Sequence, residues 1–175
     1  MKKKRLYPSF ILGLLLLLAI NVAISCKQRP AHFGAPDSAR VKDSVSKMAI
    51  NMAQDISNKG PVAWLDYFEN TPGFFMASQG QLVFTDYQSA QKFILNTLDK
   101  EISKISLRWN NLRVDPLASD LALIGADFHE DLSNISGKII SIDGYFTGMA
   151  SLSNNRWKLR NLHWSIKEPI NPVVK

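Results

Sequence analysis

The segment that decides the fold is YFTGMASLSNNRWKLRNLHWS, residues 145–165. Apolar and polar residues alternate with a period of two on both sides of the Ser-Asn-Asn at 153–155, a pattern typical of two strands around a tight turn. Strands joined by so short a turn run antiparallel. We therefore predict a hairpin with strands at 138–152 and 156–166.

The same period of two extends toward the N-terminus and predicts two further strands, at residues 103–116 and 121–131. In the first of them the apolar phase slips by one residue after Asn110 and Asn111. A one-residue slip is what a β-bulge produces, and it bends the sheet at that point. The second half of the chain is thus predicted to be a bent antiparallel sheet.

The first half has apolar residues three or four positions apart, which predicts helices. One helix ends at Gly60, and a second, short and aromatic, begins at Pro61. Two short strands surround Gly80, and a third helix follows them. Polar residues that can cap a helix precede the first and the third: Asp37 or Ser38, and Thr85 or Asp86. Helices on one side of an antiparallel sheet give an α+β domain.

The N-terminus has the layout of a secretory signal. Four basic residues at 2–5 precede an apolar stretch at 10–20, and small residues follow up to Cys26. A plain membrane anchor is the alternative, but a spanning helix needs about 18 or more apolar residues, and this stretch is shorter. Cys26 is the one cysteine of the chain, so it forms no intramolecular disulfide. A buried thiol or a redox cysteine is the competing interpretation.

The residues Ala23-Ile24-Ser25-Cys26 resemble the lipobox of bacterial lipoproteins. The resemblance implies cleavage between Ser25 and Cys26 and attachment of palmitate-type acyl chains to Cys26. Two or more such chains hold a protein firmly at a bilayer. Residue 27 is a lysine rather than an aspartate. By the same analogy, this favours attachment to the outer membrane if the cell is Gram-negative. We expect an exported, lipid-anchored protein of the bacterial cell envelope, with the membrane as a partner.

These features divide the chain into a signal at 1–25, a lipidated cysteine and flexible tether at 26–36, a domain at 37–167 and a loose tail at 168–175. The chain carries 21 basic and 15 acidic residues, and four of the basic ones lie in the signal, which leaves 17 against 15. No basic stripe interleaved with aromatic residues remains, which argues against a nucleic-acid partner.

The domain resembles the nuclear-transport-factor-2-like superfamily, and within it the SnoaL-like group that includes the association domain of calcium/calmodulin-dependent kinase. The resemblance is carried by ASDLALIGADF at 118–128 and by the spacing of Thr147, Trp157, His163 and Ser165. It implies a cone-shaped fold, with three N-terminal helices packed on a curved antiparallel sheet and a pocket on the concave face. Relatives pair through the convex face, so a homodimer is a further expectation.

The resemblance also assigns the pocket lining, because it puts the pocket on the strand face that alternates with His163 and Ser165. The residues on that face, with three aromatic residues closing the wide end, are Ile124, Ala126, Phe128, Phe146, Leu162 and Trp164, with Tyr67, Phe68 and Phe75. Nearly all are apolar. This predicts a module that binds a small apolar ligand or a protein partner, with no catalysis and no cofactor assigned.

The alternative is an enzyme of the isomerase, dehydratase or cyclase type acting on a hydrophobic substrate. Its weak candidates are Tyr67, Glu130 and Asp127, and we expect Glu130, near the end of its strand, to be solvated. A Ser-His-Asp triad is excluded because His163 and Ser165 lie two apart on a strand, about 7 Å from each other. No metal site is predicted either.

Overall fold

The computed structural model describes residues 33–167. These residues form five helical segments and six strands. Their order is α1 (Ala35–Lys59), a 3₁₀ helix (Pro61–Asp66), β1 (Phe75–Ser78), β2 (Gln81–Phe84), α2 (Tyr87–Phe93), a π-helical turn (Ile94–Leu98), α3 (Asp99–Glu101), β3 (Ile102–Ala118), β4 (Leu121–Asn134), β5 (Ile139–Ser153) and β6 (Arg156–Ile166). The strands make one curved, unclosed sheet in the order β2-β1-β6-β5-β4-β3. The α+β prediction is confirmed.

Parts of the prediction lie outside the described residues. They are the signal with Ser25 and Cys26, most of the tether at 26–36, and the tail at 168–175. Their assignments stay predictions. Between residues 33 and 167, none of the helices combines the length and the apolar character that crossing a bilayer requires.

Helix α1 forms because its apolar residues repeat every three or four positions, and that stripe packs on β3. Val45, Met52 and Ile56 on the stripe are fully buried. The helix begins at Ala35, two residues before Asp37, which is the first of the two predicted capping residues. It ends where predicted, at Gly60, whose φ of 82° is a conformation that a residue with a Cβ rarely adopts.

The sheet is mixed, so the prediction of a wholly antiparallel sheet is wrong at one pair. β1 runs parallel to β6, with Phe75 opposite Asn161 and Ser78 opposite Trp164. Two strands that are joined by a short turn must run antiparallel, but β1 and β6 are separated by most of the domain in sequence. Their relative direction is therefore set by packing, and alternation in the sequence does not report it.

Two of the register shifts in the long strands are bulges that lie away from the strand ends. The predicted one is confirmed, because the pairing of β3 with β4 shifts between Asn110 and Arg113. The other lies in β6, where Met149 pairs with Asn161 but Ala150 pairs with Leu159, so that one residue of β6 is unpaired. As a result Leu159 and Leu162, three positions apart, are both buried.

Candidate functional site

A cavity of about 300 Å³ lies between the concave face of the sheet and the segments that cover its wide end. The hairpin of β1 and β2 contributes Met76, Ser78 and Val83, and the π-helical turn contributes Ile94 and Leu98. Six of the lining residues are aromatic: Trp64, Phe68, Phe84, Phe93, Phe128 and Trp164. The lining is therefore almost entirely apolar.

Trp164 is the centre of the aromatic wall. Its ring meets Phe128 edge-on at 4.7 Å between centroids, meets Trp64 edge-on at 5.5 Å, and stacks on Trp109 at 5.8 Å. The indole N–H of Trp109 donates to the backbone oxygen of Ala49 at 2.9 Å, which ties the cluster to α1. Edge-to-face and offset packing of this kind fixes ring orientation, so this wall is preorganised.

Glu130 projects from β4 into the cavity, where its neighbours across the sheet are Leu107 and Ile142. Within residues 33–167 its carboxyl group makes neither a hydrogen bond nor an ion pair. Burial raises the pKa of Glu130 to about 7. Glu130 is half-buried, so the expectation that it is solvated holds only in part, and the hairpin and the π-helical turn line the cavity around it.

The other two catalytic candidates lie away from the cavity. The hydroxyl of Tyr67 donates to Asp55 Oδ2 at 2.6 Å, and burial raises the pKa of this tyrosine. Asp127 faces the convex side, where it accepts from Asn111 Nδ2 at 2.7 Å. Alternation explains the second case, since Asp127 precedes the inward-facing Phe128. Neither side chain can reach a ligand held in the cavity.

The predicted lining residues fall into three groups. Phe68, Phe128 and Trp164 line the cavity. Four others on the same face are buried in the core at its narrow end: Ile124, Ala126, Phe146 and Leu162. Phe75 and Tyr67 do not line the cavity, and Phe75 is 42% exposed. Alternation in β1 turns Phe75 outward, while Met76 and Ser78 turn toward the cavity, and Phe74 packs in the core instead.

Sequence reasoning missed two features of the site. The hairpin and helix residues Ser78, Val83 and Phe93 were not assigned to the lining, although the apolar side predicted for the third helix was a usable signal. Gly144 is the other: a Cβ there would lie 2.2 Å from the backbone oxygen of Ser165 and 2.5 Å from the Phe128 ring. The missing side chain is what lets that ring lie over β5.

Comparison with known proteins identifies the fold. No protein-family model and no curated protein matches the sequence. Among solved structures, a nuclear transport factor 2 (NTF2-like) superfamily protein from Salmonella enterica serovar Typhimurium LT2 superposes with a TM-score of 0.58, at 14% identity, over 79% of this chain and 97% of that one. The fold is nuclear-transport-factor-2-like.

Two further nuclear-transport-factor-2-like neighbours carry enzyme names. A type 2 hexachlorocyclohexane dehydrochlorinase (LinA) has a TM-score of 0.62 at 12% identity, over 77% of this chain and 90% of that one. A candidate scytalone dehydratase from Novosphingobium aromaticivorans DSM 12444 has 0.61 at 9%, over 71% and 83%. Identities this low support the fold and leave the activity open. The fold fits a ligand-binding or an enzyme module.

The convex face of this nuclear-transport-factor-2-like domain carries a cross-strand polar cluster. His129 contacts Asp143 Oδ1 through Nδ1 at 2.8 Å and Asp131 Oδ1 through Nε2 at 3.1 Å. The Asp143 hydrogen bond holds the pKa of His129 above its ordinary value. Between residues 33 and 167, no three His, Cys, Asp or Glu side chains are grouped to hold a metal. Leu123 and Tyr145 are exposed on this face, and pairing of two copies through it stays a prediction.

Proposed function

We propose that this protein binds a small, largely apolar ligand in the cavity under its hairpin. The single observation that carries the proposal is a cavity of about 300 Å³ with a nearly continuous apolar lining. That volume is roughly twice the engineered 150 Å³ cavity that binds benzene, and it reaches the lower end of the range for ligand pockets. A molecule with one or two rings fits such a space.

Filling the cavity tests this proposal. Ile142→Trp adds an indole to a lining position, and it is expected to weaken binding of the neutral dye N-phenyl-1-naphthylamine at least tenfold in a fluorescence titration. Ile140→Trp is the matched control, because Ile140 lies on the same face of β5 outside the lining and is 44% exposed. Dye binding that Ile142→Trp leaves intact would place the ligand elsewhere.

We further propose that the domain is held at the bacterial cell envelope by acyl chains on Cys26. The support is the lipobox-like sequence at 23–26 and the proline- and glycine-containing residues at 26–36, whose composition suits a tether between a bilayer and a domain. A ligand that partitions into membranes would be found close to this site.

A second candidate function is proton-transfer catalysis, in which Glu130 acts as the general base. The observation that favours it is an unpaired carboxyl group inside an apolar cavity, whose pKa near neutrality suits abstraction of a proton. Two of the structural neighbours, named as a dehydrochlorinase and a candidate dehydratase, are consistent with such chemistry on this fold. The reaction would be an isomerisation or elimination on a hydrophobic substrate.

Hydrogen exchange tests the catalytic candidate without knowledge of the substrate. If Glu130 is a general base, the protein is expected to exchange the acidic C–H protons of 4-phenylbutan-2-one in D₂O above the buffer rate, as followed by NMR. Glu130→Gln is expected to return the rate to that of buffer, because an amide does not accept the proton. If neither the wild type nor Glu130→Gln exchanges these protons faster than buffer, the catalytic candidate is contradicted and ligand binding remains the proposed function.

A further inference from the structure

We infer that the ligand of this cavity is a small hydrophobic amine, whose ammonium group pairs with the carboxylate of Glu130. The inference rests on the proposed function, since it names the chemical class of the molecule that the cavity holds. Three features of the described residues carry it: the charges around Glu130, the aromatic rings beside it, and the number of oxygen ligands available.

The charge balance of the cavity is incomplete. Among the residues between 33 and 167 that line the cavity, Glu130 is the one that can be ionised, and none is a lysine, an arginine or a histidine. Arg108, on the neighbouring strand β3, pairs with Asp131 on the convex face at 3.7 Å. A half-buried carboxylate without a partner is costly, and a ligand that brings the opposite charge offsets that cost.

The surrounding rings suit a cation. Phe128 lies two residues before Glu130 on the same face of β4, at a distance of about 7 Å along the strand. Trp164 packs against Phe128, and Trp64 packs against Trp164. An ammonium group within about 6 Å of an aromatic face is attracted to it, most strongly by tryptophan. Ring faces and one carboxylate together favour an organic cation over a neutral molecule.

A metal ion is a poor occupant of the same place. Calcium takes six to eight oxygen ligands, and magnesium an octahedral set. Among the lining residues only Glu130 and Ser78 carry side-chain oxygen. An alkylammonium group needs far fewer polar partners, and its hydrocarbon part fills the apolar remainder of the cavity.

The experiment compares two probes of nearly equal size on the full chain. Binding of 4-phenylbutylamine and of 4-phenylbutan-1-ol is measured by isothermal titration calorimetry at pH 7.5, with the chain in lipid nanodiscs and empty nanodiscs as the blank. The amine is expected to bind at least tenfold more tightly than the alcohol. Glu130→Gln is expected to remove that preference, and Glu130→Asp, which keeps the charge, to retain part of it.

The possible results distinguish failure of the amine assignment from failure of the proposed ligand binding. Alcohol binding as tight as amine binding, or an amine preference that survives in Glu130→Gln, overturns the amine assignment while leaving apolar ligand binding intact. Absence of binding by both probes, together with absence of dye binding, overturns the proposed function and the inference with it. Circular dichroism of each variant establishes that the comparison is made on folded protein.

Discussion

Replacing Cys26 with serine is expected to abolish acylation and processing of the chain. Serine offers no thiol for the diacylglycerol group, and the lipobox resemblance implies that cleavage before residue 26 follows that modification. Mass spectrometry of the wild-type protein from a bacterial host is expected to find an acylated peptide that begins at Cys26. In Cys26→Ser that peptide should be absent, and the chain should retain residues 1–25.

Membrane attachment itself needs a separate variant, because an uncleaved signal is also apolar. A chain in which an ordinary cleavable secretory signal directly precedes Lys27 is expected to leave the membrane fraction. Each buried methylene contributes about 0.8 kcal/mol, so loss of two acyl chains removes essentially all of the anchoring. Ser25→Ala is the matched control, since it keeps a small residue before the cysteine. Equal processing and equal membrane attachment in all these chains would contradict the lipid anchor.

The elements that local sequence determines were predictable. The stripe of α1 and the turns at Gly60 and Gly80 follow from residue type alone. The bulge after Asn110 could be predicted because it shifts the alternation by one residue, and the structure shows that shift in the pairing. In each case the physical cause acts within a few residues, so the sequence carries the whole signal.

Features that depend on distant segments could not be predicted. The parallel pairing of β1 with β6 joins residues far apart in sequence. The bulge in β6, by contrast, does shift the apolar phase between Leu159 and Leu162, and this local signal was missed. The environment of Glu130 is the clearest example. Alternation puts Glu130 in phase with Phe128 on β4, but its partial burial depends on the distant hairpin and π-helical turn, which line the same cavity.

Replacing Glu130 with glutamine is expected to stabilise the domain at alkaline pH and to change little at acidic pH. In the folded chain burial raises the pKa of Glu130 to about 7, whereas unfolding returns it toward its ordinary value of 4.5. At pH values between 4.5 and 7, the folded state therefore retains a proton on Glu130 that the unfolded state has released. The contribution of Glu130 to stability is therefore complete below pH 4.5 and is lost as the pH rises through 7.

The size of the loss follows from the shift, since one pKa unit corresponds to about 1.4 kcal/mol and the whole effect to about 3 kcal/mol. Glutamine does not ionise, so Glu130→Gln should exceed the wild type by that amount in free energy of unfolding at pH 8.5 and match it at pH 4.5. Guanidinium unfolding of the protein, followed at both pH values, measures these free energies. His129 titrates identically in the two chains, so its contribution cancels.

Glu101→Gln is the matched control, because Glu101 is exposed on the short helix α3 and its replacement should leave both values unchanged. A difference between Glu130→Gln and the wild type that is equal at the two pH values would contradict an unpaired carboxyl in an apolar cavity. If the pH dependence appears, a saturating amine should reduce it, because the ammonium group would stabilise the ionised carboxylate in the folded state alone. A neutral alcohol of the same size should leave it in place.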